Sequence, residues 1–151
     1  MTVLNKNGSR SVNVATWVTR LAFALVFFLN VQCALQFIVA PQDYVFAYEL
    51  SGVSGVVAVQ GIGVAFLMWN VTYPAVIFDP VRFRVLDIVV LIQQLVGLIG
   101  ESCILMNIPS GHEVLMFSIT RFIAFDTIGL VLMTAALLGL RFCIRKAQHR
   151  A

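Results

Sequence analysis

The sequence predicts an all-α integral membrane protein, an up-down-up-down four-helix bundle with both termini in the cytoplasm. Composition is the first ground. The chain has 151 residues, 60% hydrophobic and only 11% charged, with a mean hydropathy of +0.95. Soluble domains average about 45–50% apolar and roughly 25% charged residues. A water-soluble monomer of this length cannot hide so much apolar surface behind so few charges. The second ground is four apolar runs, each near or above the roughly 20 helical residues that cross a hydrocarbon core. The third is a basic-residue count that alternates from one connection to the next.

The elements follow in order. Residues 1–14, with Asn5, Asn7, Gly8 and Ser9, read as a short flexible tail. The first span runs from about Thr16 to Val39 and stops before Pro41. The second runs from about Tyr48 to Tyr73 and stops before Pro74. The third runs from about Val85 to Met106 and stops before Pro109. The fourth runs from about Phe117 to Leu140, and residues 141–151 form a basic tail. The spans must be helical, because backbone polar groups find no water in lipid. Short connections make successive helices antiparallel neighbours. A cleaved signal peptide is not expected: the first run is longer than a signal h-region. Leu29–Cys33 is a poor lipoprotein box, since Gln32 stands where a small residue is needed.

Orientation follows from Lys6, Arg10, Arg82, Arg84, Arg141, Arg145, Lys146 and Arg150, which fall on one side. The other two connections carry no Lys or Arg, so the first side is cytoplasmic, as in a bacterial inner membrane. Trp17, Trp69 and Tyr73 would mark the inner interface, and Tyr44 and Tyr48 the outer one. The second span is rich in small residues (Ser51, Gly52, Ser54, Gly55, Ala58, Gly61, Gly63), which suit close helix contact within the chain. A face for another subunit or a lipid is the alternative.

Ionisable groups inside spans are costly and are candidates for function. Counting from the turns places Gln32, Glu49, Gln94, Glu101, Arg121 and Asp126 in the outer part of the bundle. Glu101 and Arg121 should be level, and an ion pair between them is the simplest way to keep both charged. Together the six would form a polar pocket open outward. Arg20, Asn70 and Asp87 form an inner polar layer. Between the layers stand Asn30, Gln60, Gln93 and Gln94. Asp87, Gln94 and Glu101 repeat by seven and so share one helix face. Thr120, Thr127 and Thr134 repeat likewise. The plainer alternative is that both stripes face inward and tie the helices together.

Other chemistry is excluded or thin. His112 and His149 are the only histidines, and neither lies in a span. Bis-histidine haem ligation and an imidazole-held metal therefore have no residues. His112 beside Glu113 reads as a solvated turn. No phosphate-binding loop, dinucleotide fingerprint or nucleophile elbow occurs. Basic residues sit at ends and turns rather than on a nucleic-acid-reading face. Cys33, Cys103 and Cys143 read as three buried thiols; only Cys33 and Cys103 could meet on the oxidising side.

Arg20-Leu21 opening the first helix, Pro41 just after it and the glycine-rich Ser51–Gly63 stretch resemble the DoxX-like small four-helix bacterial membrane proteins. The stretch Phe66-Leu67-Met68-Trp69-Asn70 with Tyr73-Pro74 is similar to the same group. The resemblance implies an accessory or assembly role beside membrane redox partners, or small-molecule binding in the bundle. It brings no shared catalytic residues, and the intramembrane histidine of emopamil-binding relatives has no counterpart.

The expected function is a non-catalytic accessory or scaffold subunit of a larger membrane complex, linked to membrane redox or energy metabolism. Its partners would be the bilayer and either other membrane subunits or further copies of the chain, with no nucleic acid. No cofactor is predicted. A quinone- or lipid-binding protein with an outward polar pocket is the alternative, and a small-solute or proton-coupled transporter is a third.

Overall fold

The computed structural model describes residues 6–149; Arg150 and the first five residues of the expected N-terminal tail lie outside them. The described residues form helices and turns without a strand. Four helices are long and apolar enough to cross a membrane. They are α1 (Lys6–Val39), α2 (Gly52–Asn70), α4 (Arg84–Asn107) and α5 (Glu113–Gln148), with a short α3 (Tyr73–Phe78) between α2 and α4. The helix already running at Lys6 replaces the rest of the expected tail. At 1.5 Å per residue α1 and α5 are about 51 and 54 Å long, well beyond a hydrocarbon core of about 30 Å.

Prolines and turn chemistry set the boundaries. Ala40, before Pro41, leaves helical geometry at φ −129°, ψ 53°, because a following proline disfavours the α region. Pro41–Asp43 and Phe46–Tyr48 are single 3₁₀ turns. The second span breaks earlier than expected, at Asn70, and resumes with Pro74 in the first turn of α3, where its missing N–H costs nothing. After α3, Asp79 Oδ1 accepts the backbone N–H groups of Val81 and Arg82, both at 3.0 Å, and folds the chain back into α4.

The helices are antiparallel in sequence order, but they do not close a symmetric bundle. α1 packs closely on α2 and on α5, and α5 on α4. α2 and α4 approach each other far less closely; α3, which lies between them in the chain, packs on α1 and α4. Gly63 explains the tight α1–α2 contact: a Cβ there would stand 2.8 Å from the Ala34 carbonyl oxygen and 2.8 Å from Ile38. By contrast Ser51, Ser54, Ala58 and Gly61 are exposed, so only part of the small-residue face serves internal contact.

The solid core lies toward the end that carries the start of α1, the end of α5 and α3. Phe23, Val26, Tyr73, Val76, Val90 and Met133 form it. Tyr73 is fully buried there, and its ring packs near Phe23 and Phe27. It is therefore a core residue and not the interfacial anchor expected from its place near a span end. Thr19 bonds across to the Ala136 carbonyl at 3.1 Å, joining α1 to α5. Large apolar side chains such as Leu21, Leu25, Phe28, Ile88, Ile99, Ile128, Val131 and Leu138 point outward around the molecule.

Candidate ligand clefts

Toward the opposite end the bundle is hollow. Two clefts open there, separated by Phe122 and Phe125, which line both. Phe37, Phe66 and Phe122 pack ring to ring at about 6 Å and form the dividing wall. The six residues expected in one outward pocket are thereby distributed over three places.

The first cleft, about 300 Å³, receives residues from all four long helices. Gln94, Glu101 and Asp126 line it with Trp69, Phe122 and Phe125. Gln94 is buried; its amide donates to Asp126 Oδ1 at 2.7 Å, and its carbonyl accepts the Tyr73 hydroxyl at 3.1 Å. Two glycines make room for this relay. A Cβ on Gly97 would stand 2.7 Å from Asp126 Oδ2, and one on Gly129 would stand 3.2 Å from Gln94 Nε2. Glu101 Oε2 is buried and has no hydrogen-bond partner among the described residues. Exposed Val96, Gly100 and Ile104 place the mouth of the cleft on the side where α2 and α4 splay apart.

The second cleft, about 350 Å³, lies between α1, the α1–α2 connection and α5. Gln32, Cys33, Tyr44, Tyr48, Ser118 and Arg121 line it. Tyr44 and Tyr48 are half-buried with their rings against Phe37, at 4.8 and 6.0 Å. They form one wall of the cleft.

The expected Glu101–Arg121 ion pair does not form. The two residues line different clefts, and Arg121 has no acid partner among the described residues. Counting from the turn fixes depth but not direction around the helix. Arg121 and Asp126 are five residues apart, about 140° around α5 at about 100° per residue. Only one of them can face α4, and that is Asp126.

Glu49 also departs from expectation. It sits on the connection before α2, in the left-handed region at φ 53°, and pairs with His112 on the α4–α5 turn. Its Oε1 also accepts the Leu115 N–H at 3.4 Å. The hydrogen bond from His112 holds the Glu49 carboxyl below its ordinary value of 4.5. His112 is thus one half of a clasp between two turns and not merely a solvated residue. No spacing in the sequence signals a contact between segments 63 residues apart.

The inner layer is rearranged as well. Asp87 is fully buried, but its partner is Arg141 at 2.7 Å, a residue expected in a free basic tail. Arg20 instead donates to the Phe78 carbonyl at 2.6 Å and lies 5.0 Å from the centre of the Trp17 ring. It thereby satisfies the exposed carbonyl end of α3. Asn70 donates to the Phe66 carbonyl of its own helix at 2.7 Å. Among the intervening amides, Gln60 donates to the Ile38 carbonyl at 3.2 Å, and Gln93 accepts the Thr72 hydroxyl at 3.0 Å. Asn30 lines both clefts.

Thr120 and Thr127 face outward and bond back to the carbonyls four residues earlier, so their stripe does not tie the helices together. This is how a hydroxyl satisfies itself when it meets lipid or bare surface. The three cysteines are free; Cys103 is exposed, while Cys33 and Cys143 are half-buried. Among the described residues, no group of three or more His, Cys, Asp or Glu side chains is arranged to hold a metal ion.

No protein family, no curated protein and no solved structure matches the chain.

Proposed function

We propose that the chain is a multi-pass protein of a bacterial inner membrane, with both ends cytoplasmic, whose α2–α4–α5 cleft binds a quinone or a lipid carbonyl. The orphaned Glu101 oxygen carries this reading. A buried carboxyl without a partner is costly and is compensated by a proton or by a ligand. Protonated, it donates a hydrogen bond to a carbonyl, and Trp69, Phe122 and Phe125 supply flat apolar walls for a ring. At about 300 Å³ the cleft is at the small end of ligand sites, so it suits a ring-sized head whose chain extends out between α2 and α4. The basic residues Arg10, Arg82, Arg84, Arg141, Arg145 and Lys146 gather at one end and support the orientation.

An accessory role within a larger complex is the second reading. The exposed Ser54–Ala58–Gly61 side of α2 favours it, because a Cβ on Gly61 would meet nothing. The DoxX-like resemblance is compatible with both readings. A proton-coupled transporter has less support, since α2 to α5 contain no inverted pair of broken helices.

Trp69 provides the test, because the chain has only two tryptophans and the other, Trp17, is on the outer side of α1. Decylubiquinone added to the W17F protein in detergent should quench Trp69 saturably. E101Q and D126N should weaken the effect. Quenching of Trp69 that is linear in quinone and unchanged in both variants would remove this reading.

A further inference from the structure

The second cleft has a different chemistry from the first. Among the described residues no Asp or Glu lines it, and its only charge is Arg121. Arg121 makes no ion pair and no hydrogen bond among those residues. Ser118 is only 8% exposed, and its hydroxyl has no partner among them either. Gln32, Tyr44 and Tyr48 present further donors whose side chains are likewise not engaged in hydrogen bonds. Arg121 is eight residues into α5, about 12 Å along the helix axis. Arg121 is exposed at that level, on a cleft lined by unengaged donors, and no acceptor among the described residues meets its guanidinium.

We propose that this cleft binds an oxyanion, the phosphate head of an amphiphile or a free phosphate, on Arg121. A guanidinium fork matches two phosphate oxygens, which a single lysine or an amide cannot do. Exposed Gln32, half-buried Tyr44 and Tyr48 and buried Ser118 line the same cleft, so hydroxyl and amide donors complete the shell around a bound oxyanion. Phe122 and Phe125 continue from the same cleft as an apolar wall, along which the chains of a phospholipid can lie. The lining differs from that of the carboxyl cleft: there an anion would meet Glu101 and Asp126, here it meets Arg121 among neutral amide and hydroxyl groups.

The test uses the full chain in a mild neutral detergent, with native mass spectrometry of retained lipid. Phosphatidylglycerol and diacylglycerol, which has the same chains but no phosphate, are offered at equal concentration. The wild-type chain should retain one phosphatidylglycerol in preference, and R121Q should lose that preference by about tenfold or more. R121K should retain part of it, while R20Q, altered at the other end of the bundle, should keep it in full. Inorganic phosphate is the second arm. Displacement of phosphatidylglycerol by millimolar phosphate identifies a free-anion site, and failure to displace it identifies a lipid site. Equal retention of the two lipids by the wild type, together with no retained phosphate, overturns the proposal and leaves Arg121 reaching bulk water along the helix surface. Should R121Q not fold, a Q32L/Y48F double variant that keeps its helical content must show the same loss; an unchanged preference there also overturns it.

Discussion

Removing Arg141 should destabilise the protein more than removing Asp87, and removing both should cost little. The asymmetry comes from burial. The Asp87 side chain is fully buried, whereas that of Arg141 is 24% exposed, and their contact is 2.7 Å. Asp87 Oδ1 is already buried without a hydrogen-bond partner, so loss of the guanidinium leaves the carboxylate without a direct one, with Arg84 acting on it only through space. Breaking a buried pair from one side costs about 3–5 kcal/mol. The exposure of Arg141 admits some screening and places R141Q at the lower end, about 3 kcal/mol. That is about a 150-fold change in the unfolding equilibrium. D87N leaves a cation that can reach water, and should cost about 1–2 kcal/mol. The D87N/R141Q double variant should return to within about 1 kcal/mol of the wild type, because no charge remains to be buried. The assay is equilibrium unfolding by SDS in mixed micelles, followed by far-UV circular dichroism for all four proteins. Strict additivity of the two single changes, or a cost below about 0.5 kcal/mol for R141Q, would refute the pairing.

Three further outcomes are expected. G97A places a methyl group 2.7 Å from Asp126 Oδ2 and must push that side chain off Gln94; it should cost about 1–3 kcal/mol in the same unfolding assay and also weaken Trp69 quenching by decylubiquinone. G63A meets the Ala34 backbone oxygen at 2.8 Å, whereas G61A meets nothing; the first should cost about 1–3 kcal/mol and the second should stay within about 0.5 kcal/mol, and equal effects would mean that α1 and α2 are not in close contact. The Glu49–His112 clasp should open in acid. The folded Glu49 carboxyl lies below its ordinary value of 4.5, so its contribution is complete above that value and is lost as the pH falls through the lowered one. Hydrogen exchange of residues 41–51 and 108–113 should therefore rise below about pH 4.5 in the wild type and be raised at every pH in E49Q.

The helical class was legible in the sequence because hydropathy and length are local properties. Pro41, Pro74 and Pro109 marked the breaks to within a few residues, since a proline constrains its own neighbours. The shared face of Asp87, Gln94 and Glu101 was legible for the same reason: a spacing of seven fixes direction within one helix. Depth could also be counted, and Asp126 does lie with Gln94.

What sequence counting could not supply was the rotation of each helix about its own axis and the choice of neighbour. Those are set by how α1 seats on Gly63, how Tyr73 enters the core, and how α3 packs on α1 and α4. They decided that Arg121 turns toward α1 and Asp126 toward α4, dividing one expected pocket into a carboxyl cleft and a guanidinium cleft. They also gave Asp87 to Arg141 and Glu49 to His112. Composition and periodicity act along one chain segment at a time. Pairing between helices is a property of side-chain shapes meeting across space, and only the folded chain carries it.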